Sequence, residues 1–269
     1  MSMSIVRKQD IIEALEHLGI EAGDIVLVHS SLKSMGYVEG GAEAVIEAFL
    51  DIIRYEGTLV MPTLVQKDFA NAYKTWDINK PSDTGYITEV FRKYPGSIRS
   101  DQATHPVSAK GKMAVYLTEG HTDFGHRYGV FGDTPFSASS PWQKLHDLNA
   151  KVVMVGVTLT YNTLKHLIEY ILVDERLKSF ADPKIREEEK KKLRHHSKPY
   201  EEGQIWPFFN GPQHQEAIDK AGLLKSTRCG NAIFYTYRAG ETGNLIYSLA
   251  KENPEEWFSP EVASWLKGG

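Results

Sequence analysis

The chain has 269 residues, 41% of them hydrophobic, with 31 Lys+Arg against 35 Asp+Glu and a single cysteine. A chain of this length buries a core without covalent or metal staples, and Cys229 alone makes neither an intrachain disulfide nor a cysteine-based zinc cluster. The formal charge of -4 offers nucleic acid no general attraction, and no segment reaches the ~20 apolar residues of a membrane span. These features predict a protein of the reducing cytoplasm that binds neither nucleic acid nor membrane.

In chain order, Ile11, Ile12, Leu15 and Leu18 recur at helical spacing ahead of Gly19. The β-branched run Ile25 to Val28 then reads as a buried strand that ends in the polar turn His29-Ser30-Ser31. Val45, Ile46, Phe49, Leu50 and Ile53 restore the helical period, and Gly57 releases Thr58 to Thr63 as a second strand. Strand, helix and strand in this order predict a parallel β unit with a crossover helix. The stretch from Gln66 to Ser100 is broken by prolines and glycines and reads as a binding loop around one helix, Ile87 to Tyr94. Lys151 to Val157 is another apolar strand, leading into the helix-patterned run Leu164 to Leu177. The charge-dense segment at about 182–203 is expected as a solvated helix followed by a loop, and Ala232 to Tyr237 as a strand. The fold class that results is α/β, one domain over 1–269 with a central mixed or largely parallel sheet flanked by helices. Monomer and homodimer both stay open.

Asn162-Thr163-Leu164-Lys165-His166-Leu167-Ile168-Glu169 directly follows a predicted strand. With Thr163 as the helix cap, His166 and Glu169 fall one turn apart on the same face. A carboxylate so placed fixes the imidazole tautomer and leaves the other ring nitrogen to act as a base. His29-Ser30-Ser31-Leu32 lies at the C-terminal end of a predicted parallel strand, where α/β proteins place ligands. Arg99, Lys110 and Lys112 gather around His105 and several hydroxyls, a local cationic loop that would suit an anion. Neither a Walker A loop, a G-x-G-x-x-G fingerprint, an H-E-x-x-H pair nor a G-x-S-x-G elbow occurs. A catalytic metal is not expected. The alternative it leaves is a metal-dependent hydrolase using His105, His121, His126, His166 and Glu169, and a second alternative is a non-catalytic binding protein.

The ordered segments Val28-His-Ser-Ser-Leu-Lys-Ser-Met-Gly36, Gly40-Gly41-Ala42, Glu56-Gly-Thr-Leu-Val-Met-Pro-Thr63, Asp83-Thr84-Gly85, Pro95-Gly-Ser-Ile-Arg-Ser100, Ser140-Pro141 and Asn162-Thr163 through Glu169 resemble the aminoglycoside N3-acetyltransferase family, the antibiotic N-acetyltransferases. The resemblance implies that family's own α/β fold, distinct from the GNAT fold, and transfer of acetyl from acetyl-CoA to an amine of an amino sugar. It places His166 and Glu169 on the catalytic pair. Ser30, Ser31 and Leu32 fall on the coenzyme-binding turn, and Arg99 and Ser100, with Ser108 beyond them, near the coenzyme. The family usually has His-Pro almost directly after Arg-Ser. Here Asp-Gln-Ala-Thr intervenes before His105-Pro106, and a gapless reading puts Gln102-Ala103 at that place.

Overall fold

The computed structural model describes residues 5–67, 72, 74–123, 135–196 and 212–268. The first part of the chain contains β1 (Ile5–Val6), α1 (Lys8–His17), β2 (Ile25–Ser30), α2 (Leu32–Met35), β3 (Tyr37–Val38), α3 (Gly41–Ile53) and β4 (Thr58–Pro62). After it come α4 (Tyr86–Arg92), β5 (Ile98–Arg99), β6 (Val107–Gly111), α5 (Ala114–Thr118), α6 (Pro141–Asp147), β7 (Lys151–Val155) and α7 (Leu164–Lys178). The remainder is α8 (Pro183–His196), α9 (Gln213–Lys220), β8 (Lys225–Cys229), β9 (Ala232–Arg238), α10 (Ala239–Glu252), α11 (Pro254–Trp257) and α12 (Pro260–Lys267).

Seven strands form one mixed sheet in the order β5-β6-β4-β2-β7-β9-β8, while β1 and β3 pair separately. The central trio β4, β2 and β7 is parallel, and antiparallel pairs extend it on both sides. The centre is mainly apolar because both of its faces are covered, with polar residues at the strand ends such as Thr58, Lys151, His29 and Ser30. Val26 and Val28 pack against one core with Ile11, Leu15, Ile46, Phe49 and Phe91, whereas Leu27 turns to the other with Trp142, Leu145, Leu167 and Ile246. That alternation follows the two-residue period of a strand. The helices α1, α3 and α4 therefore cover one face, and α6, α7 and α10 the other.

The structure changes two expectations and adds a buried contact to a third. The polar turn begins later than predicted, since His29 and Ser30 still belong to β2. The cationic loop around Arg99 is largely the β5-β6 pair, held by Ile98↔Ala109 and Arg99↔Ser108 register. The charged run forms α8, seated against α7 and α12 through the fully buried Leu193, while 197–203 lie outside the described residues. Among the described residues no helix is long and apolar enough to cross a membrane.

Burial holds three histidines neutral: His29, His121 and His214 are each lowered to about 3 from the ordinary value of 6.5. The unfolded chain binds protons at these sites near pH 6.5, and the folded one does not. Their contribution to stability is thus complete above pH ~6.5 and is lost progressively as pH falls toward about 3. The melting temperature should accordingly drop steadily when pH is lowered from 7 to 4.5. A flat profile over that range would contradict neutral burial.

Candidate active site

At the C-terminal ends of β2 and β7 the sheet opens into a cleft of about 1020 Å³. Strand ends supply His29 and Ser30 and, just past β7, Gly156, while the turn after β2 supplies Ser31 and Leu32. Gly156 has φ 64°, and a Cβ there would lie 2.6 Å from Ser34 Cβ, so only glycine lets the two turns meet this closely. Asp83, Thr84, Gly85 and Tyr86 close one side, and Thr160, Tyr161, Thr163 and His166 another.

His166 sits in the first turn of α7. Its Nδ1 donates to Glu169 Oε2 at 2.7 Å, one turn away. Glu169 is 1% exposed and cannot be reached by bulk water, whereas His166 lines the cleft. With Nδ1 engaged by the carboxylate, base chemistry falls to Nε2, and any imidazolium formed is stabilised by the buried charge behind it. Thr163 stands at the cap position but makes no side-chain cap bond. Asn162 Oδ1 accepts from Leu164 N at 3.1 Å instead, which leaves the Thr163 side chain to the cleft wall.

Of the residues expected at a coenzyme, Ser30, Ser31 and Leu32 line the cleft, and Arg99, Ser100 and Ser108 do not. Arg99 donates to the carbonyls of Thr63, Ile78 and Lys80 and to the Thr63 hydroxyl, and lies 4.9 Å from the Trp76 ring. Burial lowers it to about 10. The guanidinium ties the 76–80 segment to β4 rather than pointing at a bound anion. Ser100 Oγ accepts from Val107 N and donates to His121 Nδ1, which has its own proton on Nε2 facing Pro135 O. Ser108 Oγ pairs with Thr63 Oγ1 at 3.2 Å inside the sheet. The amide of Ser31 donates to Val155 O at 2.9 Å and holds the turn in place.

His105 reaches the cleft despite the unusual spacing before it, because Ser100 and Val107 exchange backbone and hydroxyl bonds and close residues 100–107 into a compact loop. Gln102, at the gapless position for His, is fully buried and caps that loop. The other wall comes from Asn231, Ala232, Ile233 and Tyr235, which sequence reasoning missed. They enter the cleft because β9 pairs with β7, Val155 opposite Phe234, and a strand pattern alone does not reveal its neighbour. Asp83 is the carboxylate lining the cleft among the described residues, and its Oδ2 accepts from the amides of Gln66 and Lys67. Among the described residues no three His, Cys, Asp or Glu side chains are grouped as a metal would require, and His126 lies outside them.

The family profile described as aminoglycoside 3-N-acetyltransferase matches residues 27–249. The SPbeta prophage-derived aminoglycoside N(3')-acetyltransferase-like protein YokD of Bacillus subtilis (strain 168) is 33% identical over 202 residues, covering 67% of this chain and 71% of that protein. In three dimensions the aminoglycoside acetyltransferase AAC(3)-IVa apoenzyme superposes with a TM-score of 0.72 at 21% identity, over 98% of this chain and 96% of that one. AAC-IIIb in its binary form with CoASH gives a TM-score of 0.70 at 18% identity, over 96% and 99% of the two chains. With the profile spanning the sheet, the cleft and both members of the His166–Glu169 pair, the chain belongs to the aminoglycoside 3-N-acetyltransferase family of acyltransferases.

Proposed function

We propose that this protein transfers acetyl from acetyl-CoA directly to the 3-amino group of an aminoglycoside or related amino sugar, with His166 as general base and Glu169 orienting it. The observation that carries this reading is the 2.7 Å contact between a buried carboxylate and an imidazole on the cleft wall. The amine nitrogen attacks the thioester carbonyl carbon, the C–S bond breaks, and the proton passes to His166 and then to the departing thiolate. Ser30, Ser31 and Leu32 are assigned to the coenzyme. Arg99, Ser100 and Ser108 support that site through the backbone they hold. The CoASH complex of AAC-IIIb supports the choice of coenzyme.

No acyl-enzyme is invoked. Cys229 lies on β8 away from the cleft, and burial followed by the nearby Asp10 carboxylate pushes its thiol up to about 11, so it carries almost no thiolate near neutrality. The described chain acts as one catalytic domain in the reducing cytoplasm, where that thiol stays free.

The test is thiol release from acetyl-CoA across a panel of amino sugars, with the acetylated nitrogen located by NMR. Amine-dependent release with acetyl on the 3-amino nitrogen is expected. A protein that releases no thiol with any amine, or that accumulates labelled acetyl on itself, would overturn the proposal.

A further inference from the structure

Where α6, α7, α9, β9 and α10 meet, the core leaves a cavity of about 10 Å³ that shares no lining residue with the cleft. Three side chains on its wall carry polar atoms without a partner: His146 from α6, His214 from α9 and Tyr237 from β9. His146 Nε2, His214 Nδ1 and Tyr237 Oη are buried, and among the described residues none of them has a hydrogen-bond partner. His214 and Tyr237 are only 5% and 3% exposed. Each orphan of this kind costs as much as a lost hydrogen bond or more, and such groups are few in a folded protein. Here three of them line one small space.

The rest of the wall narrows what that space can take. Thr242 Oγ1 already donates to Arg238 O at 2.6 Å, and Asn162 Oδ1 accepts from Leu164 N at 3.1 Å. His146 Nδ1 is engaged by Asp147 Oδ1 at 3.2 Å, which leaves Nε2 for the cavity. Burial holds His214 down to about 3 and the Tyr237 phenol well above its ordinary value, so both groups are neutral near pH 7. No Asp, Glu, Lys or Arg among the described residues lines the cavity, so its ligand carries no charge. The volume admits one water and nothing larger. Gly243 keeps the space open. It lies inside α10, where alanine is the better helix former, yet a Cβ there would stand 2.6 Å from His146 Cδ2 and 2.9 Å from Nε2.

We propose that the cavity binds one ordered water molecule, which hydrogen-bonds to His146 Nε2, His214 Nδ1 and Tyr237 Oη and ties α6, α9 and β9 together beside the start of α7. Water fits because it both donates and accepts. The Tyr237 hydroxyl can supply a proton, and an imidazole nitrogen with a lone pair can receive one of the water's own. Three bonds are the usual complement of a buried water. The turn that begins α7 contributes Asn162 to the wall, and Gln215, the neighbour of His214, accepts from Leu159 N at 3.1 Å just ahead of that turn. The water therefore belongs to the joint that seats α9 on the segment leading to His166.

The experiment is a crystal structure at a resolution that shows ordered water, together with the melting temperatures of wild type and Tyr237→Phe. The wild-type map should hold one water peak ~2.7–3.2 Å from each of the three atoms. Tyr237→Phe keeps the ring and removes one bond to that water, so its melting temperature should fall by ~2–4 °C. The sign of the change discriminates. In a dry cavity the same substitution deletes an unsatisfied hydroxyl, and the melting temperature should then stay or rise. A map without solvent density in the cavity, three atoms bonded instead to other protein groups, or a Tyr237→Phe at least as stable as wild type would each overturn the proposal. Should crystals not form, the sign of the Tyr237→Phe shift decides. Wild-type protein that acetylates no amine would remove the proposed function and leave this site untouched.

Discussion

Glu169→Gln should lower kcat by ~10²–10⁴-fold with little change in the affinity for acetyl-CoA. The substitution keeps the size and the hydrogen bond of the side chain and changes what the bond means. In the native pair Glu169 Oε2 can only accept, so the proton of His166 resides on Nδ1, 2.7 Å away, and Nε2 holds the lone pair. A glutamine amide can instead donate to Nδ1. The imidazole proton then moves to Nε2, where it blocks the base. Loss of the charge compounds the effect, because a carboxylate that is 1% exposed stabilises an imidazolium in a low-dielectric setting that a neutral amide does not reproduce. Kinetics of the purified variant, with calorimetry for the coenzyme, check both halves. A kcat within threefold of wild type would show that the carboxylate has no part in the chemistry.

Phe136→Ala should cost ~3–5 kcal/mol of stability and much of the activity. Phe136 is 1% exposed and belongs to the core on the α7 face of the sheet. It touches Trp142 at a centroid distance of 5.9 Å in addition to the imidazoles of His105 and His166. Truncation removes apolar contact and leaves a cavity next to polar rings, since Trp142 is itself pinned by its indole N–H to His105 O at 3.1 Å and cannot swing in to fill the space. Chemical denaturation measures the first effect. Phe136→Leu, which fills part of the volume, should return more stability than activity, because ring orientation at His105 and His166 depends on the tilted ring-to-ring contacts. Equal recovery of the two would mean that Phe136 serves packing only.

The sheet centre was legible because β2, β4 and β7 are buried on both faces, and continuous runs such as Ile25 to Val28 have no other explanation at strand length. Its margins were not. Strand β5 is two residues long, and β8 reads Lys-Ser-Thr-Arg-Cys, a polar edge with no apolar alternation. The His166–Glu169 pair was legible because a three-residue spacing on a helix fixes proximity whatever the rest of the fold does. Arg99 was not, since its charge is visible in the sequence while the carbonyls of Thr63, Ile78 and Lys80 that it binds come from segments brought together only by folding. The same holds for the wall formed by Asn231 to Tyr235, which depends on strand order, and for His105, whose arrival in the cleft depends on the bonds that close residues 100–107.

The most direct test of the central claim is thiol release from saturating acetyl-CoA by wild-type protein and His166→Ala, each with and without an aminoglycoside. Wild type should release CoA only when the amine is present, and the variant should turn over at least ~10²-fold more slowly while binding acetyl-CoA as before. Wild-type release that is indifferent to the amine, or a variant with wild-type turnover, would contradict direct transfer driven by the His166–Glu169 pair.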